Sequence, residues 1–499
     1  MNAHLFVLPA DQGQGLQSRL QQMLVGLIFN GHLLPGAELP GARAMAKQLT
    51  ISRNTVVLVY ERLQDEGLLI AKPRRGYFVN PALEQTPVAT GLSHAPRVDD
   101  PSGGIDWRRR LRLFPSEQHN RNKPRAWRDC RYRFIYGQLS CDLFPAEQWR
   151  SCMRAASSGP MSREWFADLV DEDDPMLLAQ LRQQLLPKRG IRCGDAEILM
   201  TLGTQHSLYL LSQLLAGPGV RVGMECPGYR DAVNQFALTG AEIVPVPVDG
   251  DGVQLGQDSA SCDLLYVTPS HQSPTTAILS QARRQRLLSG PAGPLIIEDD
   301  YEADMGGQAL PIPALKSADP DGRVIYIGSF SKTLSSGLRL GFMVARPELI
   351  REARALRRLM LRHPPANNQR ALALFLAQGY HDSFVTRLAR IYAERRELLL
   401  NAIARHLPDC DAVSSMGATA IWLKCPAGLQ AEGLQGIALE HGVFIETGAP
   451  SFFVDPDEEA ERYLRLGFGD IEAAQIEAGI ELLAMLIRQQ LRWASEWPY

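Results

Sequence analysis

The stretch SFSKTLSSGLRLGF, residues 329–342, places one lysine, Lys332, among small hydroxyl residues and glycines, straight after an apolar run. The chain carries 7 lysines against 45 arginines, so an ordinary surface cation here is an arginine. A guanidinium does not deprotonate to a nucleophilic amine. A lysine does, and it can form a Schiff base with an aldehyde. Ser329, Ser331 and Arg339 stand close by in sequence and suit an anion. Gly203-Thr204-Gln205 open a helical stretch, where backbone N–H groups can bind a phosphate. Asp299, Asp300 and Tyr301 close another apolar run; acids in that place can bind a metal, cap a helix or hold a cation. Tyr229, in ECPGYRDA, offers a ring face. Together these are the parts that hold pyridoxal 5′-phosphate. Lys332 would be the Schiff-base amine, and Asp299 would keep the pyridine nitrogen protonated and the ring an electron sink. Tyr301 would bond the phenolic oxygen and Tyr229 would stack on the ring. Ser329, Ser331, Arg339 and the amides of Gly203, Thr204 and Gln205 would hold the phosphate. Neighbouring positive charge and the conjugated imine would lower the basicity of the Lys332 nitrogen.

Elements must bring those residues together. Apolar runs at 221–226, 241–248, 263–269, 294–300 and 323–329 read as strands, and helical stretches separate several of them. That alternation predicts an α/β fold with a mainly parallel sheet. Ligands then bind beyond the strand ends, which is where the chemical residues fall. A length of 499 residues allows two to four domains, and 45% hydrophobic residues is ordinary for a soluble protein. No apolar run is long enough to span a bilayer, and the N-terminus lacks the pattern of a secretory signal. Eight cysteines without a CxxC pair read as reduced, buried thiols of a cytoplasmic protein, with no metal site. Charge is uneven. Residues 1–80 carry a net +3 and residues 97–133 a net +6, which leaves −12 for the remainder. A positive first quarter on an acidic chain points to a polyanionic partner at that end.

Residues 16–30 place Leu16, Leu20, Leu24, Leu27 and Ile28 at helical spacing. A Gly/Pro break follows, then a short helix at 42–49, a tight turn, and a third helix at about 53–66 with Ser52 as its N-cap. Val56, Val57, Tyr60 and Leu63 are expected on its inner face. Two β-prone runs around KPRRG read as a hairpin with a basic tip. This is the order of a winged helix-turn-helix, in which the start of the third helix enters the major groove. Arg53, Asn54 and Thr55 stand there, with Ser52 and with Arg43 of the second helix as further DNA contacts. Lys72, Arg74 and Arg75 at the wing would touch phosphate or the minor groove. The stretch LPGARAMAKQLTISRNTVVLVYERLQDEGLLIAKPRRGYFV closely resembles the GntR family of bacterial repressors, over residues 12–80. Residues 81–130, rich in Pro, Gly and Ser and then in Arg, read as a linker.

Residues 131–499 resemble a fold-type I aminotransferase, with a small C-terminal subdomain from about 381. The whole chain resembles the MocR subfamily of GntR regulators. The pieces DEDDPMLLAQLRQQLLPKRGI, TLGTQHSLYLL, ECPGYRDA, VTPSHQSPTT, IIEDDYEAD, SFSKTLSSGLRLGF and YLRLGFG occur in family order. The resemblance implies that Arg465, in YLRLGFG, grips the carboxylate of an effector, as suits a bidentate guanidinium. It also implies a homodimer. Two departures stand out: Thr276 where glycine commonly follows PT, and Ser273 where true aminotransferases usually carry an asparagine that contacts the ring oxygen. His271 and Gln272 are the candidates to replace that contact. The implied function is a pyridoxal-phosphate-dependent, DNA-binding transcription regulator. It would sense an amino acid or related amine by external aldimine formation and control genes of its metabolism. The alternatives are an active aminotransferase with an appended DNA-binding domain and a cofactor-free DNA-binding scaffold.

Overall fold

Turn chemistry sets the helix ends of the first eighty residues. In the computed structural model, α1 spans Leu16–Phe29, α2 Ala42–Leu49 and α3 Arg53–Asp65. Thr50 ends α2 in the left-handed region (φ 57°), which makes the turn tight. Ser52 Oγ then accepts from Thr55 N at 3.1 Å and caps α3, supplying an acceptor to an N–H that has no partner within the helix. The inner face of α3 is Val56, Val59, Tyr60 and Leu63. Val59 takes the place expected of Val57, which is half-buried, because the apolar stripe follows i, i+3, i+4 and i+7 from Val56. β1 (Leu69–Lys72) and β2 (Gly76–Val79) form the hairpin, with Lys72 opposite Gly76 at its tip. A third segment lies along β2: Leu39 N donates to Tyr77 O at 2.8 Å and Val79 N to Ala37 O at 2.9 Å.

The structure describes residues 6–9, 15–73, 75–83, 105–121, 123–289, 293–302, 312–454 and 458–496. Arg74 and most of 81–104 lie outside these. The chain divides into two units, Met1–Arg110 and Leu111–Tyr499. Among the described residues no helix is long and apolar enough to cross a membrane, and no group of His, Cys, Asp or Glu could hold a metal ion. All eight cysteines are free thiols. The expected burial holds for Cys130, Cys152, Cys262 and Cys425, whereas Cys141 is exposed.

The second unit adds β3 (Tyr132–Arg133), β4 (Ile198–Thr201), β5 (Arg221–Cys226), β6 (Glu242–Asp249), β7 (Gly252–Val253), β8 (Leu264–Val267), β9 (Leu295–Asp300), β10 (Val324–Ser329) and β11 (Gly341–Val344). It continues with β12 (Asp411–Val413), β13 (Ala420–Lys424), β14 (Val443–Phe444), β15 (Glu446–Thr447) and β16 (Tyr463–Gly467). The large sheet runs β4-β11-β10-β9-β8-β5-β6-β7. The five strands expected from sequence are β5, β6, β8, β9 and β10, and they pair in parallel. The sequence reading missed β4 and β11. Both lie outside the parallel run: β11 pairs antiparallel with β10 and with β4, so the alternation of strand and helix does not announce them. A second sheet, β12-β13-β16-β15, is antiparallel.

The expected linker needs correction at its C-terminal end, since residues 111–130 belong to the second unit. Gln118 Nε2 donates to Asn234 O at 2.8 Å, Arg121 Nη2 to Ser451 Oγ at 2.6 Å, and Trp127 packs 6.4 Å from the Phe444 ring. β3 continues this segment and pairs with β14. A polar, basic composition concealed a strap held by side-chain hydrogen bonds and by Trp127 and Cys130 packed against Phe444.

If Ser52 acts as a cap, Ser52→Ala should destabilise the N-terminal unit by about 1 kcal/mol. Ser52→Asp keeps an acceptor and should recover most of that. Chemical denaturation followed by circular dichroism reads the difference as a shift in midpoint.

Candidate functional site

The strand order converts distant motifs into neighbours. β10 and β11 are antiparallel partners, so the loop between them, with Lys332, lies beyond the C-terminal end of β10. β9 lies beside β10 with Asp299 opposite Ile327. β4 lies on the other side of β11 with Thr201 opposite Gly341, which brings Gly203 against the same loop. A Cβ on Gly341 would fall 2.6 Å from the Gly203 Cα. Lys332, Ser329, Ser331, Arg339, Thr204, Gln205, Tyr229, Asp299, Tyr301 and Arg465 all line one cavity of about 410 Å³.

Lys332 is half-buried, with Nζ 4.1 Å from the centre of the Tyr136 ring. Burial first, then the positive charge of Lys123, brings its amine down to about 7. Gly137 faces it at φ 73°, and a Cβ there would fall 1.9 Å from Nζ, so glycine is required both by backbone and by space.

At one end of the cavity, Gly203 takes φ 104° before the helix Thr204–Leu215. A Cβ on Gly203 would lie 3.5 Å from Arg339 Nη2 and 3.7 Å from Ser331 Oγ, so helix start, guanidinium and hydroxyl converge. Thr204 Oγ1 is buried with no hydrogen-bond partner among the described residues. The Gln205 side chain is already committed: its Nε2 donates to Tyr229 Oη at 2.7 Å and to Asp231 Oδ2 at 2.5 Å, and Gln235 donates to its Oε1. Only its backbone N–H remains for an anion.

In the middle, Tyr266 donates to Asp299 Oδ2 at 2.8 Å, while Asp299 Oδ1 is buried and has no partner among the described residues. Burial raises the Asp299 carboxyl to about 7. A cation beside the unpaired oxygen would restore its charge. Tyr301 donates its hydroxyl proton to His271 O at 2.7 Å, which leaves its oxygen as an acceptor.

At the other end, Arg465 is 2% exposed and its Cζ lies 3.2 Å from the centre of the Tyr136 ring. Its Nε has no hydrogen-bond partner among the described residues. Sequence reasoning missed Tyr136, Gly137, Tyr266, Arg121, Lys123 and Glu446 here. The segment with Arg121 and Lys123 had been read as linker, and Glu446 sits in a two-residue strand with no motif around it.

The departures have physical consequences. Thr276 stands at φ 65°, the left-handed region that favours glycine. Hydrogen bonds to Ser415 hold it there: Ser415 N donates to Thr276 Oγ1 at 3.1 Å and Ser415 Oγ to Thr276 O. Ser273 lines the cavity; His271 and Gln272 do not. His271 Nε2 is 3.0 Å from Met416 O, and Gln272 bonds Glu225 and Pro227, so neither is placed to replace a ring contact.

In the N-terminal unit Arg43, Arg53 and Asn54 are exposed. The Ser52 and Thr55 hydroxyls engage each other at 2.8 Å, so both serve the cap. Lys72 Nζ lies 4.5 Å and Arg75 Cζ 6.0 Å from the centre of the Phe78 ring, which anchors the wing cations.

Two family models match the chain: aminotransferase class I and II over residues 174–483, and bacterial regulatory proteins, gntR family, over residues 16–79. The chain is 39% identical over 485 residues to the HTH-type transcriptional regulator TauR of Rhodobacter capsulatus, covering 97% of this chain and 98% of that one. It is 30% identical over 487 residues to the probable rhizopine catabolism regulatory protein MocR of Rhizobium meliloti, covering 96% and 95%. Among solved structures it resembles the alpha-aminoadipate aminotransferase LysN of Thermus thermophilus, complexed with N-(5′-phosphopyridoxyl)-L-leucine. The TM-score is 0.68 at 26% identity, over 78% of this chain and 100% of that one. An aminotransferase class I and II domain implies pyridoxal phosphate.

Competitive acylation of the cofactor-free protein should find Lys332 half-reactive near pH 7, at its lowered value of about 7. An ordinary lysine reaches that point near pH ~10.4. Lys123→Met removes a positive neighbour that disfavours the charged amine, so the Lys332 midpoint should rise. Mass spectrometry of the labelled peptide reads both.

Proposed function

Since the chain belongs to the MocR subfamily of GntR-type transcription regulators, we propose that its second unit senses an amino acid or related amine through pyridoxal phosphate. The gntR-family domain makes it a DNA-binding regulator. One observation carries the sensing reading: the Lys332 amine and Arg465, whose Nε has no hydrogen-bond partner among the described residues, both lie against the Tyr136 ring. An amine-exchange position and a carboxylate-binding position thus share one cavity, which is the minimum for recognising an amino acid.

The residues fit the cofactor. Asp299 Oδ1, buried and unpaired, suits a protonated ring nitrogen. Thr204 Oγ1, the helix start and Arg339 suit a phosphate. Bound there, pyridoxal phosphate supplies an aldehyde that condenses with primary amines and a ring that withdraws electrons. Lys332, largely neutral just above pH 7, supplies the protein's own amine. Tyr229 covers a ring face and Ser329 and Ser331 add donors to the phosphate end. Arg465 orients the incoming amino acid by its carboxylate, and Tyr136 shields the guanidinium from water. Regulation then needs two arrangements of the protein with different effector affinities. In the same reading the protein is a cytoplasmic homodimer whose reading heads meet repeated half-sites.

The sensing reading predicts that Lys332→Ala loses the visible absorbance of bound cofactor and the response to amines, while DNA binding without effector persists. Arg465→Lys should keep cofactor absorbance and lose most of the amine response. Equal amine affinity in wild type and Arg465→Ala would refute the role of Arg465.

For the reading head, Arg53→Ala and Asn54→Ala should each weaken specific binding by about 1–3 kcal/mol. Arg75→Ala should weaken binding to every sequence and flatten its salt dependence. Footprinting should show two half-sites protected together; protection of one half-site as tight as of two would exclude the dimeric reading.

A further inference from the structure

Three cations meet at the Arg465 end of the cavity. Arg121, Lys123 and Arg465 converge on one carboxylate, Glu446, which is 5% exposed. Lys123 Nζ lies 2.9 Å from Oε1. Arg121 Nη1 stands 3.7 Å from Oε2, beyond hydrogen-bond length, and Oε2 accepts from no group among the described residues. Arg121 Nε and Arg465 Nε are both buried without a hydrogen-bond partner among the described residues. The other acids nearby are engaged by hydroxyls and an amide. Glu302 accepts from Tyr136 Oη at 2.9 Å and from Thr419 Oγ1 at 2.5 Å. Asp231 accepts from Gln205 Nε2 at 2.5 Å and from Tyr229 Oη at 3.2 Å. Buried guanidinium N–H groups without acceptors are costly, and a bound anion is what relieves them.

There is also room. Arg121, Lys123 and Glu446 line both the main cavity and a second one of about 280 Å³, so a ligand held at Arg465 can extend past them. Resting on the sensing reading above, we propose that the effector is an amino compound with two acid groups, the first on Arg465 and the second on Arg121. A second acid gives Arg121, whose Nε has no acceptor among the described residues, a planar, two-oxygen acceptor. An amide or alkyl tail of equal length supplies no such acceptor.

The test uses the full-length protein with its cofactor bound, and follows the visible absorbance during titration. Aspartate, glutamate and 2-aminoadipate are each compared with a neutral-tailed partner: asparagine, glutamine and norleucine. At least one diacid should bind ~10-fold or more tightly than its partner, a difference of about 1.4 kcal/mol. Arg121→Gln should collapse that ratio, the diacid losing more than its partner. Arg121→Lys, which keeps charge but not the fork, should restore part of it and shows that the loss is not misfolding. Equal affinity within all three pairs, or a ratio unchanged in Arg121→Gln, overturns the proposal. A spectrum that answers to no amine in either series overturns the sensing reading as well, and so separates the two failures.

Discussion

Desolvation of one amine is the constraint around which the second unit is arranged. Lys332 can act as a nucleophile at neutral pH only if its charged form is made unfavourable, and burial beside Lys123 and Arg465 does that. Space for the amine requires a residue with no side chain at Gly137. The loop that carries Lys332 must also stay at the end of β10, which the pairing of β10 with β11 and of β11 with β4 secures. The fold thus supplies both an electrostatic setting and a fixed place. Each depends on buried strands with no chemistry of their own.

Much of this was legible in the sequence, for identifiable reasons. Apolar runs ending in Asp299 and Ser329 announced strands because both faces of the central sheet are covered. Glycine and hydroxyl residues beside Lys332 and at Gly203 announced an anion site because few other residues let a ligand approach backbone N–H groups closely. The N-cap at Ser52 was readable because capping is local. Tyr136, Arg121 and Glu446 were not readable. Their roles come from contacts across more than three hundred residues, such as Arg121 with Ser451 and Tyr136 N with Glu446, and no local pattern encodes such a pairing.

The departures from an aminotransferase pattern take on meaning in three dimensions. Thr276 in a left-handed conformation costs backbone energy that glycine would not, of order 1–3 kcal/mol. That cost is offset by hydrogen bonds to Ser415, next to β12 and β13 of the second sheet. His271 reaches Met416 beside it. The loop under Ser273 is therefore tied to the segment between β12 and β13, and Thr276 supplies a hydroxyl acceptor there that glycine lacks.

The strap at residues 111–130 has a further consequence, for connectivity. Arg121 and Lys123 line the cavity, yet they follow shortly after Arg110, where the first unit ends. The covalent connection between the two units therefore enters the second unit through the strap. It also means that the second unit cannot be excised whole at its first strand. A fragment beginning at residue 131 would keep the sheet and Lys332 while discarding two of the cations that line the cavity.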